Sequence, residues 1–288
     1  MGNPARFFSF VRFEHTIFAL PLVFAAVLLA GNGLPTPRVA LLVLMAAAGA
    51  RTCAMALNRI VDRESDARNP RTAGRELPAG RMTLRQGWAV AGAGAVALIV
   101  AAAALSRTCL LLAPVPVIVF AVYPILKRVT PFAHFGVGVA DALGPAGGWV
   151  AARSTAGRPV LTDAEPLWWL LAFTILWIAG FDVIYATQDE AFDRETGLHS
   201  FPAWMGRERA LRASGGLHFL AGGCLGCFYI TGLAGPWALA CVAGIAALLL
   251  AEHERPDDLS FAFFWANAGV SLLLFAAVAC GVFAPGDA

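Results

Sequence analysis

The sequence predicts an all-α integral membrane protein of nine transmembrane helices. Three observations lead there. The 288 residues are 59% hydrophobic and only 14% charged, where a soluble domain carries roughly 25% charged residues. Apolar runs of about 20 residues, the length that crosses a hydrocarbon core of roughly 30 Å, recur along the whole chain and leave no room for a sizeable soluble domain. The basic residues fall almost entirely into alternate loops. One transmembrane domain, residues 1–288, is therefore expected.

The spans fall at about 15–31, 39–57, 87–105, 109–126, 132–152, 166–186, 209–231, 233–251 and 259–283. The first follows a basic start like that of a signal peptide, but no convincing small-residue cleavage site precedes another polar segment, so it reads as a retained helix. "MGNPAR" lacks the Ser or Thr at position six that favours myristoylation, and the sequence offers no organelle address. The second span runs straight into the charged stretch "NRIVDRESDARNPRT", residues 58–72, and the fourth ends in "YPILKR". The sixth carries Trp168, Trp169 and Trp177, the first two placed as an interfacial belt, and runs into "DVIYATQDEAFDRETG" at 182–197. The seventh holds "GCLGC" at 223–227, which reads as close helix packing and not as redox or metal chemistry. His134, His218 and His253 read as interfacial, while His15 and His199 fit either a helix end or a cavity contact.

Placing the N-terminus and the loops after even-numbered spans on one side gathers 16 Lys and Arg there. Arg38, Arg107, Arg153 and Arg158 remain on the other, and Arg51 lies within a span. The positive-inside rule then puts the 16-charge side in the cytoplasm and the C-terminus outside. The chain is expected in a cell (inner) membrane, with the bilayer as its surroundings, no nucleic acid and no obligate protein partner.

The acidic residues share that side. On a continuing helix, Asn58, Asp62 and Asp66 fan over roughly 80° of one face and about 12 Å of length. Asp182, Asp189 and Asp193 fall within about 40° of one another. Either set alone would fit a solvated helix end. Two sets four spans apart suggest a weak internal repeat with a shared central site. Facing carboxylates repel unless something positive sits between them. Oxygen donors suit Mg²⁺, which takes one or two carboxylates and completes its shell with water and phosphate. With Arg59, Arg63, Arg68, Arg71, Arg75, Lys127 and Arg128 nearby, the substrate reads as a diphosphate. No GxxxxGK[ST] nucleotide cradle is present, so a diphosphate with a lipid-soluble tail fits better. A transporter is the competing class, disfavoured because the carboxylates cluster at one membrane face.

At these residues the sequence resembles the UbiA superfamily of intramembrane prenyltransferases. Asn58, Asp62 and Asp66 match Asn-x-x-x-Asp-x-x-x-Asp, and "RTAGRELPAG" at 71–80 is similar to its continuation. Asp182, Tyr185, Asp189 and Asp193 match the second motif, and "VYPILKRVT" at 122–130 the Tyr-Pro-x-x-Lys-Arg loop with Tyr123, Lys127 and Arg128. The likeness runs from "VRFEHTIFALP" at 11–21 to "LHSFPAWMG" at 198–206. It implies a UbiA-type fold of nine helices around a central cavity, Mg²⁺ and a polyprenyl diphosphate held by the two acidic loops, and alkylation of an aromatic ring. Arg59 and Glu76 depart from many members. With "FEHTIFALP" and "GLHS" they resemble the subgroup labelled 4-hydroxybenzoate polyprenyltransferase, some of which serve the futalosine route to menaquinone.

The resemblance implies that Asp62, Asp66, Asp189 and Asp193 bind the metal and, with Lys127, carry catalysis. Asn58, Arg59, Tyr123, Arg128, Asp182 and Tyr185 are expected to contact substrate. Arg51 is a charge inside a span, where function is the default expectation. It would meet the carboxylate of an aromatic acceptor or the diphosphate, or be neutralised by an acid such as Asp141. The acceptor is expected to be 4-hydroxybenzoate or a dihydroxynaphthoate, in ubiquinone or menaquinone synthesis, with a haem or tetrapyrrole acceptor as the alternative.

Overall fold

A computed structural model describes residues 9–11, 13–254 and 265–284, with no side-chain detail for residues 13–18. Arg6, Arg12 and Arg255, three of the 16 basic residues placed on the cytoplasmic side, therefore lie outside the described residues, and the two expectations for the His15 side chain fall outside them as well. All regular structure among the described residues is helical. In chain order the helices are α1 (Phe13–Gly31), α2 (Pro37–Arg68), α3 (Leu84–Leu105), α4 (Arg107–Leu112), α5 (Pro114–Leu126), α6 (Ala133–Thr155), α7 (Glu165–Ala186), α8 (Glu190–Thr196), α9 (Phe201–Met205), α10 (Arg207–Gly232), α11 (Pro236–Glu254) and α12 (Asn267–Phe283).

Six helical stretches among the described residues are long and apolar enough to cross a membrane: 37–68, 84–105, 107–126, 165–196, 207–232 and 236–254. Ala19–Gly31 and Asn267–Phe283 are shorter apolar helices. Ala133–Thr155 has the length but carries His134, Asp141 and Arg153, whose polarity sets it apart. This is a multi-pass membrane protein.

Helix α2 is the element that builds the site. Thr36 caps its start, accepting from the Val39 N–H at 3.4 Å, and Pro37 fills the first helical position, where no N–H is needed. Its 32 residues make a rod of about 48 Å, longer than the roughly 30 Å hydrocarbon core, so its last turns must leave the apolar layer. Those turns are where the charge appears. The helix stops at Asn69, whose extended backbone leads into Pro70. The following turns return the chain to α3, which opens with a reciprocal cap: the Gln86 N–H donates to Thr83 Oγ1 and the Thr83 N–H donates to Gln86 Oε1.

Glycines set the depth of packing. A Cβ at Gly49 of α2 would stand 2.7 Å from the Gly94 carbonyl of α3, and one at Gly94 would stand 2.6 Å from the Cys53 nitrogen. On α6, Gly148 lies against the Val23 carbonyl of α1 and Gly138 against the Ile175 carbonyl of α7 with the same lack of room. In lipid, where association relies on close contact, such small residues let helix backbones touch. Cys224 and Cys227 are free, half-buried thiols on α10, but a Cβ at Gly223 or Gly226 would meet nothing within 4 Å, so the close helix contact expected of "GCLGC" is not made there.

The histidine assignments need correction. His134 and His218 are buried, not interfacial, and His253 hydrogen bonds to His218 at 2.9 Å. Each is drawn inward by a polar partner that sequence spacing does not reveal: Asp182 for His134 and the Trp177 carbonyl for His218.

Candidate active site

The end of α2, the turns after it, the end of α5 and the junction of α7 with α8 converge. The junction is a short 3₁₀ turn, Thr187–Asp189, which redirects the chain so that Asp189 and Asp193 face the end of α2. A cavity of about 210 Å³ lies between them, lined by Asn58, Asp62, Asp66, Asp182, Asp189 and Asp193, together with Tyr123, Lys127 and Tyr185. Every acidic residue singled out from the two motifs therefore reaches one chamber.

Each carboxylate has a definite partner. Lys127 Nζ is 2.6 Å from Asp62 Oδ2, and Arg128 is 3.8 Å from Oδ1. Arg75 Nη1 donates to both oxygens of Asp66 at 2.8 Å. Arg71 forks onto Asp189, with Nε donating to Oδ1 at 2.9 Å and Nη2 to Oδ2, while its Nη1 donates to the Tyr185 hydroxyl at 2.6 Å. Asn69 Nδ2 adds a 2.8 Å bond to Asp189 Oδ1. Burial works against the Arg71 charge, but these bonds to Asp189 outweigh it and hold the guanidinium above its ordinary value. Asp193 Oδ2 accepts from Ser200 Oγ at 2.8 Å. The last helix-end element is tied in by the His199 N–H, which donates to the Lys127 carbonyl at 2.7 Å.

The polar chamber opens into a larger, mostly apolar one of about 530 Å³. Asn58, Arg75, Tyr123, Val137, Asp182 and Tyr185 line both. From this shared rim the second chamber follows α2 back through Arg51 to Val43, about 22 Å along the helix. Its walls are mostly apolar, and small residues among them, such as Ala47, Ala54, Gly144 and Gly147, leave room for it. Arg51 and Asp141 face each other across it at 3.3 Å, the neutralising pair that sequence offered as one of three roles for Arg51. Arg51 Nε is buried with no hydrogen-bond partner, as is Asp62 Oδ1.

Two expected contacts are placed differently from the rest. Arg59 is buried and borders the apolar chamber, not the polar one. Arg128 lines neither; its guanidinium donates to the Val61 carbonyl at 2.8 Å and braces α2 against the end of α5. Asn69, Ser200 and His134 line the chamber and were not singled out as site residues from sequence. Asn69 and Ser200 sit next to the motifs, and distance from the nearest acid was the missing signal.

The donor set can be tested against Mg²⁺. Among the described residues, no three His, Cys, Asp or Glu side chains converge to hold an ion. The chain therefore supplies no closed metal cage. It does supply five carboxylates around one chamber, with Asp62 Oδ1 lacking a hydrogen-bond partner. That fits an ion held by one or two carboxylates and completed by phosphate oxygens and water.

A match to the UbiA prenyltransferase family covers residues 19–268. The chain belongs to that family. As a UbiA prenyltransferase it is an enzyme. It is 29% identical over 263 residues to a 4-hydroxybenzoate octaprenyltransferase of Shewanella sediminis, covering 88% of this chain and 87% of the relative. A second, from Shewanella denitrificans, is 28% identical over 295 residues, 97% of this chain and 95% of the relative. Among solved structures, the apo UbiA homologue from Aeropyrum pernix K1 superposes with a TM-score of 0.85 at 34% identity, covering 92% of this chain and 97% of that one. A homologue from Archaeoglobus fulgidus bound to DMAPP and Mg²⁺ shares the fold, with a TM-score of 0.69 at 19% identity over 97% and 99% of the two chains.

Proposed function

We propose that this UbiA prenyltransferase moves a polyprenyl group from polyprenyl diphosphate to a hydroxylated aromatic carboxylate, releasing diphosphate. The observation that carries the reading is the pair of joined cavities, a charged one for a diphosphate and an apolar one for its tail, meeting at Asn58, Tyr123, Asp182 and Tyr185. The acceptor is 4-hydroxybenzoate or a dihydroxynaphthoate. The names of the relatives favour the first, and Arg51, with an unpartnered Nε in the apolar wall, suits the carboxylate of either. The second would place the enzyme in menaquinone synthesis and the first in ubiquinone synthesis. Residues 1–288 act as one domain of nine membrane spans, with the acidic loops and the N-terminus cytoplasmic and the C-terminus outside.

The bond to break is the allylic C–O bond, and charge gathers on the leaving diphosphate as it stretches. Lys127, Arg71 and Arg75 stand around the chamber with their charges already oriented by Asp62, Asp189 and Asp66, so little reorganisation accompanies the reaction. Mg²⁺, drawing one or two carboxylates from among Asp62, Asp66, Asp189 and Asp193, would neutralise phosphate charge there. Asn58 orients the diphosphate from the rim. The apolar walls exclude water from the allylic cation, and the faces of Tyr123 and Tyr185 stabilise it by cation–π attraction.

Purified protein supplied with Mg²⁺, geranyl diphosphate and each acceptor should release diphosphate and yield a C-prenylated ring, identified by mass spectrometry. Asp62→Ala and Asp189→Ala should each abolish turnover in protein that remains folded. Wild-type rates in both would overturn the assignment of the polar chamber as the reaction site.

A further inference from the structure

His134 of α6 has an unusually well-defined role in the chamber. Its ring is buried and lies edge-on to Phe201, with centroids 5.3 Å apart. The Phe201 backbone N–H lies 3.1 Å from Nε2. A backbone amide can only donate, so Nε2 carries the lone pair and the imidazole proton sits on Nδ1. Nδ1 is 2.7 Å from Asp182 Oδ2 and therefore donates to it. Gly138, one turn along the same helix, makes this bond possible, because it lets α6 approach α7 more closely than any side chain would permit.

Asp182 consequently differs from the other carboxylates of the site. Asp62, Asp66 and Asp189 are each bound by a lysine or arginine, and Asp141 faces Arg51. Asp193 is also held by a neutral donor, Ser200, but it lines the polar chamber alone and not the rim shared with the apolar one. A carboxylate forked by a lysine or arginine has its oxygens occupied by that cation, whereas one bonded to a single neutral imidazole leaves an oxygen free to accept. Asp182 also lies on the rim shared by the two chambers, where a prenyl C1 and an acceptor ring would meet. With Oδ2 committed to His134, Oδ1 is the oxygen left for a proton.

We infer that Asp182 is the base that removes the ring proton at the end of the transfer, and that His134 is the positioning residue that aims it. The inference rests on the aromatic-acceptor reading above. The C1–O bond of the prenyl diphosphate breaks and diphosphate leaves with the electron pair. A ring π pair forms the new C–C bond to C1. The C–H bond at that ring carbon then breaks, its electrons return to the ring, and the proton passes to Asp182. No oxidant or reductant enters the balance.

The test uses the full chain in lipid nanodiscs with Mg²⁺, geranyl diphosphate and 4-hydroxybenzoate deuterated ortho to its hydroxyl. In the unaltered enzyme proton loss follows bond formation quickly, so the isotope effect on ring prenylation is close to unity. In Asp182→Asn, kcat falls by about 100-fold or more and a primary isotope effect emerges, because proton loss has become limiting. Geraniol from water capture increases at the expense of ring product, and KM for geranyl diphosphate holds. His134→Ala shows the same signature in weaker form. His134→Asn, which retains a donor where Nδ1 stood, recovers part of the loss. An isotope effect that stays at unity in Asp182→Asn, with diphosphate release and ring transfer lost together, would overturn the inference and make Asp182 a diphosphate contact. Equal behaviour of His134→Ala and His134→Asn would reduce His134 to packing. Failure of the unaltered enzyme to prenylate the ring would overturn the acceptor reading itself, and this inference with it.

Discussion

Lys127 Nζ lies 2.6 Å from Asp62 Oδ2, joining the end of α5 to a carboxylate that is only 4% exposed. The pair is asymmetric, since the lysine remains 32% exposed. Removing the lysine strands a buried anion, whereas removing the anion leaves a cation that can turn to water. Breaking a buried pair from one side typically costs about 3–5 kcal/mol; Arg128, 3.8 Å from the other oxygen, brings the expectation toward the lower end. Lys127→Met should therefore lower the thermal unfolding midpoint more than Asp62→Asn. The double variant should recover stability relative to Lys127→Met, with a coupling readable from the four-protein cycle. Diphosphate release should stay absent in all three variants.

Arg71 makes its contacts through the planar fork of the guanidinium, two to Asp189 and one to Tyr185. A lysine carries the same charge but cannot make the three bonds together. Arg71→Lys should lower kcat/KM for the prenyl diphosphate by about tenfold, which corresponds to about 1.4 kcal/mol. Because Arg71 also ties the turns after α2 to the second acidic motif, the variant should be cut faster by protease between residues 69 and 83. Unchanged kinetics with unchanged proteolysis would contradict a bridging role.

The first acidic motif was legible in the sequence because helical spacing is a local rule, whereas the second, expected on one helix face, is interrupted by the 3₁₀ turn Thr187–Asp189. Asn58, Asp62 and Asp66 need only α2 to continue past the membrane surface, and it does so to Arg68. The apolar runs likewise marked the multi-pass character, because burying a backbone in lipid leaves few alternatives to a long helix. What could not be read were contacts between distant segments. Nothing adjacent to His134 in sequence indicates that α6 packs close enough to α7 for the ring to reach Asp182. Arg128 looked like part of a cationic pair with Lys127, yet successive residues on a helix end point about 100° apart. One enters the chamber and the other turns to the Val61 carbonyl.

Gly94 tests how far the site depends on helix packing remote from it. A methyl group at this position would meet the Cys53 nitrogen at 2.6 Å and the Gly49 oxygen at 2.7 Å, both backbone atoms that cannot rotate away. Gly94→Ala should push α3 off α2 and destabilise the fold by about 1–3 kcal/mol, the usual cost of overpacking. Gly92, where a Cβ meets nothing within 4 Å, provides the control: Gly92→Ala should unfold at or above the temperature of the unaltered chain, since alanine is the better helix former. Equal unfolding temperatures for the two variants would rule out tight α2–α3 contact.

Gly147 sits deep in the apolar chamber, ten residues along α6 from the rim residue Val137, or about 15 Å. A Cβ built there meets nothing within 4 Å, so a side chain would project into free space without displacing a neighbouring helix. If the chamber holds the prenyl tail, Gly147→Phe should obstruct its deep half and leave the rim intact. Geranyl diphosphate should then remain a substrate, while octaprenyl diphosphate should lose at least about tenfold in relative kcat/KM, the scale on which apolar pockets discriminate by size. Competition between the two diphosphates in one reaction, with products separated by mass, reads this ratio directly. Equal losses for both chain lengths would mean that the tail leaves the chamber before reaching Gly147, through an opening toward the bilayer nearer the rim.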